Sequence, residues 1–285
     1  MKLVFKILPV LILSLTLSGC SLKLYYNQID WLVSWYKDDY FQLNEVQEKQ
    51  FEIALSKVLN WHRFEALPKY AKFLETIKKD LDKPLTQEQL EKHQKSIDRF
   101  VDEFFIQIGD EFSPILASLS SEQIDYLFDA LKESNDEYLE EQVNLQADEI
   151  RLERLESIND WMERGLGEIS KKQEVQAKNL VFSQTLVAQF RFDNRIKWQK
   201  ELRKILESNL SREDKAGQIK KLIQERNYNH SQEFKLARRS NTQKTYLWLV
   251  NLQKELSTEQ KTYLINQVDD YIETIKSLSN HKVES

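Results

Sequence analysis

Apolar residues recur along this chain at intervals of three and four, and six of the apolar runs are announced by the same short signature. Leu43-Asn44 with Gln47, Leu85-Thr86 with Gln89 and Leu119-Ser120 with Gln123 carry it. So do Ile169-Ser170 with Gln173, Leu210-Ser211 with Asp214, and Leu256-Ser257 with Gln260. The common form is an apolar residue, then Asn, Ser or Thr, then two variable positions, then Gln or Asp. That form predicts a helix N-terminus. The first backbone N–H groups of a helix have no partner within it. A short polar side chain accepts from one of them, and a Gln three residues on reaches back to the N–H of the cap. The leading apolar residue works best as a staple where the fourth helical position is also apolar, as at Leu90 and Ile124 but not at Glu48, Glu174, Lys215 or Lys261. Successive copies lie roughly 34 to 50 residues apart, too unevenly for a solenoid of identical units.

The stripes that follow each signature have helical period. Phe51, Leu55, Val58 and Leu59 follow Asn44. Leu67-Pro68 predicts a fresh helix with Pro in its first turn, carrying Tyr70, Phe73, Leu74, Ile77 and Leu81. Leu90, Ile97, Val101, Phe104, Phe105 and Ile108 come next, until Pro114 interrupts. After Ser120 come Ile124, Leu127, Phe128 and Leu131, then a long charged helix through Trp161 and Met162 that Gly165-Leu166-Gly167 ends. A single long helix after Ser170 carries Val175, Leu186, Phe190 and Leu202. Ser211, the region near His230, and Ser257 open the last three. Strand patterns are absent. The pattern predicts an all-α fold, a multi-helix bundle of long antiparallel helices.

The N-terminus has a different pattern. Lys2 and Lys6 precede an apolar core from Ile7 to Leu17 that is too short to span a bilayer, which suits a cleaved signal peptide. It ends at Leu17-Ser18-Gly19-Cys20, and Cys20 is the only cysteine. This quartet resembles the lipobox of bacterial lipoproteins. The resemblance implies cleavage between Gly19 and Cys20, a diacylglyceryl thioether on Cys20, and acylation of its new amino group with chains of the palmitate type. Several acyl chains hold a protein on a membrane without a spanning helix. By the same resemblance, Ser21 in place of Asp sends the product to the outer membrane, on its periplasmic side. Residues 1–19 are then leader and residues 20–285 a single helical domain, which could divide near 165–170. A helix from Leu22 to Tyr36 follows almost at once, with Tyr25, Ile29, Leu32 and Tyr36 on one stripe and Leu24, Trp31 and Trp35 on the next. Its aromatics suit either the core or the headgroup layer that Tyr and Trp favour.

Composition narrows the functions. Glu, Gln, Lys and Leu dominate, and Gly and Pro number 5 and 4 in 285 residues, so turn-rich sheets are excluded. Losing Lys2 and Lys6 with the leader takes the formal charge from −5 to −7. Nucleic acid is therefore not an expected partner. His62, His93, His230 and His281 show neither the His-Glu-x-x-His nor the Glu-x-x-His spacing. With one thiol as well, no metal and no cofactor is expected. Gly165-x-Gly167-x-x-Ser170 lacks the third glycine of a dinucleotide loop and follows no strand. No nucleophile elbow occurs, and carboxylates are too widespread for any pair to stand out, so the chain is not expected to be an enzyme.

One cluster carries more interest. Trp61-His62-Arg63 precedes Leu67-Pro68, where His62 and Arg63 would answer the negative end of a helix dipole. Arg63 also has Asp30, Asp38 and Asp39 of the first helix as candidate partners. Trp61, His62 and Arg63 are the candidate ligand or partner residues.

The lipobox, Tyr25-Tyr26-Asn27, Asp30-Trp31, Trp61-His62-Arg63, Leu67-Pro68-x-Tyr70-Ala71 and the repeated Leu-Ser/Thr-x-x-Gln starts resemble an uncharacterised family of proteobacterial α-helical lipoproteins, a domain of unknown function. The resemblance covers nearly the whole mature chain and brings no activity. The starts also resemble, less specifically, the Leu-Thr-x-x-Gln motif of small periplasmic stress chaperones, from which Asn44, Ile169 and Asp214 depart. The expectation is a non-enzymatic, chaperone-like or envelope-assembly lipoprotein that meets the membrane through Cys20 and binds envelope proteins. The alternative is an enzyme acting on envelope components near Trp61-His62-Arg63.

Overall fold

The computed structural model describes Lys23 and residues 26–225 and 227–280. Cys20, Gly19, the leader and Tyr25 lie outside the described residues. Among those described, helices alternate with short connections, there are no strands, and the fold is all-α and multi-helix. The helices are α1 Ile29–Asp38, α2 Glu45–Trp61, α3 Leu67–Leu81, α4 Gln87–Leu116, α5 Ser121–Tyr138 and α6 Ala147–Leu166. They continue as α7 Lys171–Ser183, α8 Ala188–Leu206, α9 Arg212–Gln224, α10 Gln232–Lys254 and α11 Thr258–Asn280. None of them is long and apolar enough to cross a membrane.

All six signatures cap helices. Asn44, Ser120 and Ser170 make full capping boxes with Gln47, Gln123 and Gln173. The Thr86–Gln89 and Ser257–Gln260 pairs exchange the same two bonds. Ser211 accepts from the Asp214 N–H at 3.1 Å and donates its hydroxyl back to the carboxylate, so the acid replaces the second backbone bond.

Contacts divide the chain into two interleaved units. The first comprises Met1–Ala66, Asp98–Glu140 and Arg191–His230. One of its cores joins Ile29 and Val33 of α1 to Phe51, Ala54 and Leu55 of α2 and Ile115 of α4. Another joins Tyr40, Ile124, Leu127 and Leu131 to Leu202, Ile205, Ile219 and Leu222. The second unit comprises Leu67–Ile97, Glu141–Phe190 and Ser231–Ser285. One of its cores gathers Met162, Leu166, Ala177, Leu180, Trp248, Leu252 and Leu256. Along α3 and α11, Lys78 meets Asp269 and Lys276 meets Glu75.

The opening helix starts at Ile29, after a turn at Asn27 and Gln28, rather than running through from Leu22 to Tyr36. Four later helix boundaries also differ from the sequence expectation, each for a specific physical reason. Leu67-Pro68 opens no separate helix: α2 runs into a π-helical turn, His62–Ala66, that leads straight into α3. Pro68 has no N–H for the Phe64 carbonyl, and the widened turn just before it absorbs that missing bond. Pro114 does not interrupt α4, because only the last turn follows it and the Ala117 N–H still reaches the Ser113 carbonyl at 2.9 Å. The charged helix before Trp161 is split, with α6 starting afresh where Glu149 accepts from the Gln146 N–H. The long helix after Ser170 is also two. Gln184 is extended, and Asn241 of α10 supplies the missing partners by accepting from the Thr185 N–H at 2.9 Å and donating to its carbonyl at 2.8 Å. Val175, expected inside, is exposed, while Gln173, Ala177, Leu180 and Val181 turn inward.

Gly165-Leu166-Gly167 does end its helix, and the 165–170 segment lies inside the second unit. Gly167 has φ +76° and ψ −135°, backbone that an L side chain rarely adopts. A Cβ there would meet the Tyr263 ring at an ordinary 3.7 Å, so strain alone opposes it. Gly167→Ala is expected to destabilise by about 1–2 kcal/mol in urea unfolding. An unchanged midpoint would show that the turn relaxes.

Candidate functional site

Trp61, His62 and Arg63 come together with the segment just before α1, not with the acidic residues of α1. Arg63 donates to the Asn27 side-chain oxygen at 3.2 Å, and its guanidinium lies 5.0 Å from the Tyr26 ring centre. That replaces the expected pairing with Asp30, Asp38 or Asp39. Planar guanidinium stacks well on an aromatic face, and Asn27 is nearer in the fold. His62 is buried, and its Nδ1 is hydrogen-bonded to the Tyr26 hydroxyl at 2.9 Å. Burial, with Arg63 alongside, lowers its pKa to about 4. The ring is neutral at pH 7 and does not act as a cation on a helix dipole; the helix does not end there. The Trp61 indole stands edge-on to the imidazole at 6.3 Å. Tyr26 thus touches both His62 and Arg63, the first two residues of the π-helical turn.

The same face of α2 holds the rest of α1. Lys37 is buried against Glu48, with Asp38 at 3.1 Å and the Phe51 ring 5.4 Å away. Burial alone would depress its pKa, but Glu48 and Asp38 outweigh it, and the net shift is upward. Two ends of one short segment are therefore clamped: Tyr26 and Asn27 on His62 and Arg63, and Lys37 on Glu48.

Two further polar clusters escaped the sequence reading. In the first unit, Arg195 is buried with its guanidinium donating to the Ser134 hydroxyl at 2.7 Å and lying 5.7 Å from the Tyr138 ring. Burial lowers its pKa, and raises that of nearby Tyr40. Asn135 and Gln199 exchange amide bonds beside it at 2.8 and 3.3 Å. The four-residue spacing of Arg195 and Gln199 beside Leu202 was the available signal, but polar residues at that spacing usually mark a solvated face. In the second unit, His93 lies 2.9 Å from Asp80 and edge-on to Phe73.

Two open depressions, of about 410 and 380 Å³, border Asp129, Glu133 and Glu137 of α5 and the Asn44 cap respectively, and neither touches Trp61, His62 or Arg63. Among the described residues, no group of His, Cys, Asp and Glu is arranged to hold a metal ion.

The sequence model of a family of unknown function, DUF6279, matches residues 39–235. The chain belongs to DUF6279. The matched DUF6279 segment takes in α2 to α9 and the start of α10, hence Trp61, His62, Arg63 and the Arg195 cluster, and leaves α1 and α11 outside it. No curated protein and no solved structure matches the chain. DUF6279 lends the chain no activity, so the functional reading rests on its own residues.

Proposed function

We propose that this chain is a bacterial lipoprotein, anchored through acylated Cys20 to the periplasmic face of the outer membrane, whose helical body binds envelope proteins without catalysing a reaction. The observation that carries the anchor is Leu17-Ser18-Gly19-Cys20 after a short apolar run, with no other cysteine to claim Cys20 for a disulfide. The physics of the anchor is the burial of acyl methylenes, about 0.8 kcal/mol each. Binding is favoured over chemistry at Trp61-His62-Arg63, since His62 is a closed-off neutral ring and Arg63 is engaged by Asn27 and Tyr26. The repeated Leu-Ser/Thr-x-x-Gln starts lend the chaperone resemblance little, because each serves as a helix cap. The functional weight therefore rests on the anchor.

Cys20→Ala is expected to abolish fatty-acid labelling and leave unprocessed precursor. Continued labelling would refute the anchor. Crosslinking in cells followed by mass spectrometry is expected to recover envelope proteins on the helical body. Turnover of an envelope substrate, lost in His62→Ala or Arg63→Ala at unchanged Tm, would overturn the binding reading.

A further inference from the structure

α1 has two faces of different character. Tyr26, Ile29, Val33 and Lys37 are buried, and the contacts of Tyr26 with His62, Asn27 with Arg63, and Lys37 with Glu48 hold that side down at both ends. Trp31 and Trp35, four residues apart and therefore on one side of the helix, stand outward at 65% and 55% exposure. Two large indoles facing outward on one helix face form an exposed apolar patch. The first described residue, Lys23, stands three positions after Cys20, and Trp31 follows Cys20 by eleven. Even fully extended, that stretch reaches at most about 40 Å, so an acylated Cys20 keeps the two indoles within a short reach of the bilayer surface. A tethered second contact needs little intrinsic affinity, because the tether supplies a high effective concentration.

We infer that Trp31 and Trp35 are a second membrane contact, seating α1 in the headgroup layer of uncharged phospholipid. The inference rests on the anchor proposed above. Indole suits that layer because its ring is apolar and its N–H is polar. The charge around the pair points away from anionic lipid: Asp30, Asp38 and Asp39 are exposed, while the one cation of α1, Lys37, is buried in its ion pairs. The contact is therefore interfacial rather than electrostatic, unlike a polybasic patch. It would hold the helical body close against the membrane.

The test uses the purified full-length processed protein in vesicles of phosphatidylcholine and phosphatidylethanolamine containing phospholipid brominated either near the headgroup or near the chain end. Shallow bromine is expected to quench tryptophan emission, and W31S/W35S to lose about half or more of that quenching at unchanged Tm, since neither indole supports the core. Deep bromine should quench little. Replacing part of the neutral lipid by phosphatidylglycerol should not strengthen the quenching. Equal quenching of the two proteins would overturn the inference, as would a several-fold gain with phosphatidylglycerol. A blue shift of Trp31 and Trp35 emission that grows with protein concentration in detergent would assign the face to a second copy of the chain instead. Fatty-acid labelling of the same preparation reads the anchor separately. Labelled protein without quenching overturns only the tryptophan contact, whereas quenching of unlabelled protein overturns only the anchor.

Discussion

Lowering the pH from 6.5 to 4 is expected to weaken the first unit by about 3 kcal/mol through His62. In the folded chain the imidazole takes up a proton only near pH 4, because charging it means burying a cation, and Arg63 is a second cation beside it. The unfolded chain protonates the same ring near its ordinary value of 6.5. The folded pKa lies below the unfolded one, so the stability is fully present above pH 6.5. It is lost progressively as protons bind the unfolded state first, until the folded ring also charges near pH 4. The loss begins above the pH range in which carboxylates titrate. Urea unfolding at pH 6.5 and 5.0 should therefore resolve it. His62→Asn, which keeps a polar group facing the Tyr26 hydroxyl but cannot titrate in this range, should flatten that dependence. A variant with the same pH slope as the parent chain would show that His62 is not the group responsible. An imidazole resonance, absent from His62→Asn, that titrates near 6.5 in the folded protein would show the same.

Gln173→Leu is expected to cost about 2–4 kcal/mol, much more than an exposed cap residue, because Gln173 closes more than its own capping box. Its side-chain oxygen accepts from the Ser170 N–H at 2.8 Å, and its amide exchanges bonds with the Gln260 amide at 3.0 Å in each direction. Gln260 in turn caps Ser257 and donates to the Glu168 carbonyl at 2.8 Å. Gln173 is 2% exposed, so water does not replace what Leu cannot supply. The double variant Gln173→Leu/Gln260→Leu should cost less than the sum of the singles by about 1 kcal/mol or more, since two apolar side chains leave neither amide stranded against the other. Strict additivity, or a single-variant cost within about 0.5 kcal/mol of zero, would show that the amide pair adds nothing beyond ordinary capping. The first unit repeats the device. Gln47, capping α2, and Gln123, capping α5, bond each other at 3.1 and 2.7 Å, and Gln47 also donates to the Ser118 carbonyl at 3.0 Å.

This cross-linking of caps marks how far the chain's pattern could be read on its own. A capping box is local: the two bonds join residues three apart, so Asn44-x-x-Gln47 announces its helix without knowledge of the rest. Gln47 and Gln123 are 76 residues apart, and nothing in either signature shows that the two helix starts will meet. The same division separates the halves of the candidate site. Trp61-His62-Arg63 stands out by composition, but charge points Arg63 to Asp30, Asp38 or Asp39, whereas the geometry supplies the Tyr26 ring and the Asn27 amide. The opening helix was legible as amphipathic, yet its buried side, Tyr26, Ile29 and Val33, lies about one residue around from the expected stripe. Two adjacent stripes rich in aromatics fit the core about equally well, and only the docking surface on α2 and α4 selects one.

Helix content, the six N-termini and the Gly167 stop were determined by the sequence itself, because capping, period and positive φ are satisfied within a few residues of chain. Tertiary structure decided where helices break or run on. Asn241 makes the break at Gln184–Thr185 tolerable, and the π-helical turn carries the chain past Pro68. It also decided which polar residues are buried, since Gln173, His62 and Arg195 lose water only when distant segments close over them. The outward direction of Trp31 and Trp35 follows from that same docking.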